Sequence, residues 1–213
     1  MESRPECVML AAGLSSRMGT WKMMLPWRET TLLDSAIENA LGFCKRVILV
    51  TGHRAEELHV RYGGHPQVTL AYNPDFHDGM FSSVVCGVMQ TRGEHFFLSL
   101  GDMPGIPPAV YARLWEARGD KCVVPEFGSY RGHPALLPAA MRGIILAAPP
   151  EATLKPLLDD FGRVSIAVDE PAIHEDVDTP AQYLELCAIR SRQPLPAATG
   201  SRFSHLKIPD HIS

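Results

Sequence analysis

An α/β fold, with helices on both faces of a mainly parallel sheet, is what the sequence predicts, and three observations predict it. Short runs such as RVILV and HFFLSL are almost continuously apolar, the pattern of strands covered on both sides. Between them lie stretches whose apolar residues recur at helical spacing. Alternation of the two implies right-handed crossovers, and so parallel neighbours in the sheet. The 213 residues, 46% hydrophobic and 21% charged, supply ample core for one large domain.

The elements follow in order. A first strand is expected at 7–11; Glu2, Arg4 and Glu6 before it and its short length set it apart from a signal-peptide core. Leu32, Leu33, Ala36, Ile37, Ala40 and Leu41 then form one apolar stripe, a helix. Further strands are expected at 46–50, 68–71, 95–100, 122–124 and 164–168. Helices are expected at 54–61, 82–89, 108–118, 153–161 and 180–190. The last helix opens on a capping box, with Thr179 as N-cap, Pro180 at the first position and Gln182 at the third. From Ser191 the pattern gives way to a mixture of proline, glycine and serine, so the chain divides into a domain at 1–190 and a tail at 191–213. The tail reads as a linker or ragged terminus, a short docking segment, or the start of a further domain.

A net charge of −4 argues against broad binding to nucleic acid or a membrane surface, so any anion site must be a local pocket. The five cysteines form no C-x-x-C pair and sit mostly in apolar stretches. They read as reduced thiols of a cytoplasmic protein rather than as disulfides or zinc ligands. No apolar run reaches the length of a membrane span.

Chemistry gathers after the strands. In VMLAAGLSSRMGTWK a glycine, Gly13, follows an apolar run, and Arg17 and Lys22 come next. The spacing matches neither the P-loop nor the dinucleotide fingerprint. Loop amides could still cradle an anion, with Arg17 and Lys22 as full charges; a glycine turn carrying two solvated cations fits the same residues. In FFLSLGDMPGI, Gly101 and Asp102 follow the most hydrophobic strand, so Gly13 and Asp102 share the carboxyl edge of the sheet, where open parallel sheets bind ligands. A carboxylate facing two cations there suggests Mg²⁺ shared with substrate phosphates; a turn or cap aspartate is the plainer alternative. In HEDVDTPAQYLEL the cap is already supplied, leaving Asp176 and Asp178 free. In an extended segment they point to opposite sides, and Asp178, next to the helix, is the favoured partner of Asp102; solvated loop acids fit the same residues. Ser82 and Ser83 in NPDFHDGMFSSVVCGV begin a helix, as ligand contacts or ordinary caps. Arg131 and His133 lie in the glycine-bearing turn YRGHPALL.

Together, LAAGLSSRMGTWK, NPDFHDGMFSSV, LGDMPGI, YRGHPALL and DVDTP resemble the MobA-like nucleotidyltransferases, and most closely the subgroup of molybdenum cofactor cytidylyltransferases. The likeness runs over about 7–190 in matching order, with DTPAQ where many relatives read DTPED. It implies a Rossmann-like three-layer α/β/α sandwich of the nucleotide-diphospho-sugar transferase type. It also implies transfer of CMP from CTP to the phosphate of molybdopterin, with release of pyrophosphate. Leu10, Ala11, Ala12 and Gly13 would hold the nucleotide together with Ser82 and Ser83. Arg17 and Lys22 would grip the triphosphate, Asp102 and Asp178 would bind Mg²⁺, and Arg131 and His133 would border the acceptor. A transient contact with a molybdoenzyme is implied as well. Two other readings stand beside it: transfer to a sugar phosphate or related metabolite, and a non-catalytic cofactor-binding maturation protein. Ala12, where guanylyl-transferring relatives carry a second glycine, is expected to crowd a purine and favour CTP over GTP.

Overall fold

A computed structural model describes residues 4–191 and Phe203. The chain runs β1 (Glu6–Leu10), the small hairpin β2 (Pro26–Trp27) and β3 (Thr30–Thr31), then α1 (Leu32–Leu41) and β4 (Arg46–Thr51). Next come α2 (Ala55–Tyr62), β5 (Val68–Tyr72), α3 (Met80–Val88), β6 (His95–Leu100) and α4 (Pro108–Glu116). β7 (Cys122–Phe127), β8 (Tyr130–Arg131), β9 (Ala135–Pro138), α5 (Ala140–Ala147), α6 (Leu154–Phe161), β10 (Arg163–Ala167) and α7 (Pro180–Ser191) complete it.

The main sheet has the order β10-β7-β9-β6-β1-β4-β5, with β8 paired to β7. β1 lies parallel to both β4 and β6, β4 parallel to β5, and β10 parallel to β7. The six expected strands and six expected helices are all present, within a few residues of their expected ends. The departures are the two-residue strands β2, β3 and β8, the strand β9, which runs antiparallel between β6 and β7, and α5 behind it. Four residues of ALLP carry too little pattern to announce a strand; pairing with Phe96–Leu98 makes them one.

Alternation along each strand makes the layers. Cys7 and Met9 face one side with Leu33, Ile37, Leu58, Tyr111 and Leu114, from α1, α2 and α4. Val8 and Leu10 face the other with Val84, Val88, Met141 and Ile145, from α3 and α5. Because β1 is central, both faces are buried, and the period of two appears as an unbroken apolar run. α1 is fastened by a capping box between Thr31 and Asp34, and Asp34 also accepts bonds from Arg61 and from Tyr62 Oη at 2.8 Å, which tie α2 to α1.

Glu6 enters the sheet as a buried carboxylate, 3% exposed. Arg46 Nη2 reaches its Oε1 at 2.6 Å and the Arg92 amide donates to Oε2 at 2.8 Å. Burial pushes the carboxyl pKa up, but the Arg92 amide and the charges of Arg46 and Lys45 more than offset this and hold it below the ordinary value. Its contribution is therefore present above the ordinary carboxylate range and is lost as pH falls through the lowered value. We expect Glu6→Gln to cost about 2–3 kcal/mol at neutral pH. In acid, the chemical-denaturation curves of the two proteins should converge; a constant gap at all pH would remove the charge from the explanation.

The expected division at 190 falls one residue before the end of α7. Most of the tail lies outside the described residues, but Phe203 is buried, with its ring 5.4 Å from that of Tyr62 and 5.1 Å from that of His65. Its amide donates to Glu38 at 3.3 Å.

Candidate active site

The carboxyl edge of β1 and β6 brings together several of the residues singled out in the sequence. Leu10, Ala11 and Ala12 are buried and committed to the framework: the Gly101 amide donates to Leu10 O, Ala11 N to Val50 O and His53 N to Ala12 O. What stands open is the turn beginning at Gly13, where an added Cβ would meet nothing within 4 Å. The left-handed residue of this turn is Ser15, at φ 56°, so the backbone reversal attributed to Gly13 is made two residues later. Ser15 Oγ in turn accepts the Lys22 amide at 3.2 Å.

Lys22, Asp102 and Asp178 meet. The Lys22 ammonium contacts Asp102 Oδ2 and reaches Asp178 Oδ1 at 2.8 Å, while Arg17 Nη2 lies 2.6 Å from the other oxygen of Asp178. Lys22 and Asp102 side chains are each 11% exposed, whereas Arg17 is 71% exposed. Burial disfavours the ammonium, but the two carboxylates outweigh it and raise the Lys22 pKa above its ordinary value. Burial likewise opposes ionisation of Asp178, and the Lys22 bond and the charges of Lys22 and Arg17 hold its pKa below the usual carboxylate range. The pair is thus charged across neutral pH; it is lost in acid as Asp178 protonates and in alkali as Lys22 deprotonates.

The chain delivers Asp178 to this point in three steps. Gly132 lies so close to the Ile173 carbonyl that a Cβ there would stand 2.0 Å from the oxygen, and the His133 amide donates to the same carbonyl at 2.8 Å. Buried Val177 then donates its amide to the main-chain carbonyl of Asp102 at 3.2 Å. Finally Gln182 Oε1 accepts the Asp178 amide at 3.1 Å, and Thr179 Oγ1 accepts the Gln182 amide at 3.3 Å. The expected cap is present, and it orients the acid beside it.

Asp176 departs from expectation. The segment is not an extended strand, and the Asp176 carboxyl lies against that of Asp178 instead of opposite it. Burial first, and then the charges of Asp178 and Asp102, raise its pKa. Among the described residues no group of three His, Cys, Asp or Glu side chains is placed to hold a metal ion. Two carboxylates converging on one cation do fit a hard divalent ion that completes its shell with phosphate and water. Since of Asp176 and Asp178 the second is the one that bonds Lys22, we expect Asp178→Ala to lower kcat/KM about 10²–10³-fold and Asp176→Ala about 10-fold or less. Steady-state kinetics would reveal a reversed order, which would move the second ligand to Asp176.

The other expected residues are placed differently. Ser82 and Ser83 hydroxyls both accept from Asn73 Nδ2, at 2.9 and 3.0 Å, and Ser82 donates to Asp75 O and Gly79 O. They build the β5–α3 loop around Asn73, a buried residue the sequence reading passed over. Arg131 sits on β8, which pairs with β7, bonded to Ser165 at 2.8 Å and 3.6 Å from Glu126. His133 is turned inward. Its Nδ1 is buried with no hydrogen-bond partner among the described residues. Burial lowers its pKa against a Leu98 backbone bond and the Asp102 charge. The Ala12 methyl is buried, and a Cβ added at Gly52 would stand 2.9 Å from it.

A row of rings flanks the opening turn. Trp21 stands 6.5 Å from His53, His53 6.4 Å from Phe76, and Arg54 covers the Trp21 ring at 4.4 Å. His53 follows β4 as Gly13 follows β1, so the same edge rule applied to TGHRAE would have found it.

The model of the MobA-like NTP transferase domain matches residues 7–168. The chain is 40% identical over 181 residues to the molybdenum cofactor cytidylyltransferase of Escherichia coli K12, covering 84% of this chain and 93% of that one. The Rv0371c homologue from Mycobacterium sp. strain JC1 superposes with a TM-score of 0.77 at 29% identity, over 90% of this chain and 99% of that one. A manganese complex of Rv0371c from Mycobacterium tuberculosis H37Rv superposes at 0.70 with 22% identity, over 87% and 99%.

Proposed function

Since the chain belongs to the MobA-like NTP transferases and is a nucleotidyltransferase, we propose that it transfers CMP from CTP to the phosphate of molybdopterin and releases pyrophosphate. The observation that carries this reading is Lys22 joined to Asp102 and Asp178 at the carboxyl edge, beside an open turn that bears Arg17. The 40% identity to a cytidylyltransferase supports the choice of substrates.

Asp102 and Asp178 would hold Mg²⁺, which, when bound, supplies neutralisation of charge on the triphosphate; the manganese complex of a structural neighbour supports a divalent ion. The amides from Gly13 onward would receive the phosphates. Lys22 and Arg17 would pair with them, placing the α-phosphorus in line with an oxygen of the acceptor phosphate. That oxygen is already ionised, so no strong general base is needed. Catalysis by these residues is positioning plus stabilisation of the charge that grows on departing pyrophosphate. A transient contact with a molybdoenzyme, which would receive the product, belongs to the same reading.

Pyrophosphate release with CTP, Mg²⁺ and molybdenum cofactor, against sugar-phosphate controls, tests this. Tight cofactor binding without turnover would favour the maturation-protein reading, and turnover only with sugar phosphates the other. Among nucleotides we expect CTP to exceed GTP by roughly 10- to 200-fold in kcat/KM, the range for discrimination by shape. Initial rates with all four nucleotides decide it, and equal or greater efficiency with GTP would defeat the cytidylyl assignment.

A further inference from the structure

We propose that Lys22 is a resident counter-cation that competes with divalent metal for Asp102 and Asp178, so that metal and triphosphate bind as a coupled pair. The inference rests on the reading of these two aspartates as metal ligands.

The geometry points to competition. Lys22 Nζ engages one oxygen of each carboxylate, Oδ2 of Asp102 and Oδ1 of Asp178, while Arg17 takes Asp178 Oδ2. The charges of Asp102 and Asp178 are thereby faced by two positive ones, with the Asp176 carboxyl alongside Asp178. The oxygens that converge on the ammonium are those that would converge on a metal, and they cannot serve both cations at once. Lys22 is also poorly free to retreat. Its side chain is 11% exposed, its amide is tied to Ser15 Oγ, and Met23 and Met24 after it are buried in the core.

Free metal must therefore displace a buried ammonium that has lost its partners, which weakens metal binding. A triphosphate changes the balance, because its oxygens offer Lys22 and Arg17 new anionic partners a short distance away. The two carboxylates are then released to the metal. By linkage, metal raises nucleotide affinity by the factor by which nucleotide raises metal affinity. The lysine thus makes occupation of the site by metal alone unfavourable and favours metal arriving with its nucleotide.

The test is Mn²⁺ binding to the full chain without nucleotide, read from the electron paramagnetic resonance signal of free Mn²⁺. Lys22→Met and Lys22→Gln should bind Mn²⁺ on the order of 10-fold more tightly than the unmodified protein, within the usual range of a coupling. Adding Asp102→Asn to either should abolish the gain. Equal affinities within about 2-fold, or weaker binding by both Lys22 variants, would overturn the competition. If Asp102→Asn leaves Mn²⁺ binding unchanged in every background, the metal-site reading itself fails and the inference falls with it. A measurement on the unmodified protein stands apart from variant folding. With ¹³C-labelled lysine, the Lys22 Cε signal should hold its position in millimolar Mg²⁺ and shift when a non-hydrolysable CTP analogue joins it. A shift of the same size with Mg²⁺ alone would refute the coupling.

Discussion

Asp102→Asn is expected to lower metal-dependent turnover on the order of 10³-fold while leaving the fold in place. The substitution keeps the size of the side chain and removes its charge, so a divalent cation at the proposed site would lose one of two carboxylate ligands. The main-chain carbonyl of Asp102, which accepts the Val177 amide, is untouched, so the segment that carries Asp178 keeps its anchor. Lys22 retains Asp178 at 2.8 Å. Because the pair is buried, stability should fall by about 2–3 kcal/mol, or roughly 4–12 °C in Tm. Pyrophosphate release and a thermal melt on the same preparation separate the two effects. Turnover within a few fold of the parent protein would take Asp102 out of the mechanism.

Lys22→Met should lower kcat/KM about 10²–10³-fold, through a raised KM for nucleotide and a reduced kcat together. A cation placed on the triphosphate helps in the ground state and more as pyrophosphate leaves, so both constants move. The thioether chain fills the buried path of the lysine stem but leaves Asp102 and Asp178 facing each other with only Arg17 to offset them. Tighter metal binding and poorer turnover in the same variant would be the combined signature of its two roles. If a melt shifted and neither kinetic constant did, the opening turn would be structural.

Local pattern alone specifies the layered α/β architecture and the sheet edge at which the candidate site residues gather. Strand runs such as RVILV and the stripe of α1 are local patterns, and burial on both faces of β1 writes itself as an unbroken apolar run. The placement of Gly13 and Asp102 directly after strands is also local, as is the cap at Thr179 and Gln182. Side-chain partnership was decided only by the tertiary structure. Asp178 meets Lys22 across 156 residues because Gly132, Val177 and the cap of α7 converge on it, and none of these is adjacent to Lys22 in the chain. The same holds for the exceptions. Asn73 claims the hydroxyls of Ser82 and Ser83, β9 enters the sheet antiparallel, Asp176 bends against Asp178 and His133 turns inward. Each is settled by hydrogen bonds and packing between segments distant in sequence. Periodicity reports which face of an element is buried, and carries no record of what lies against it.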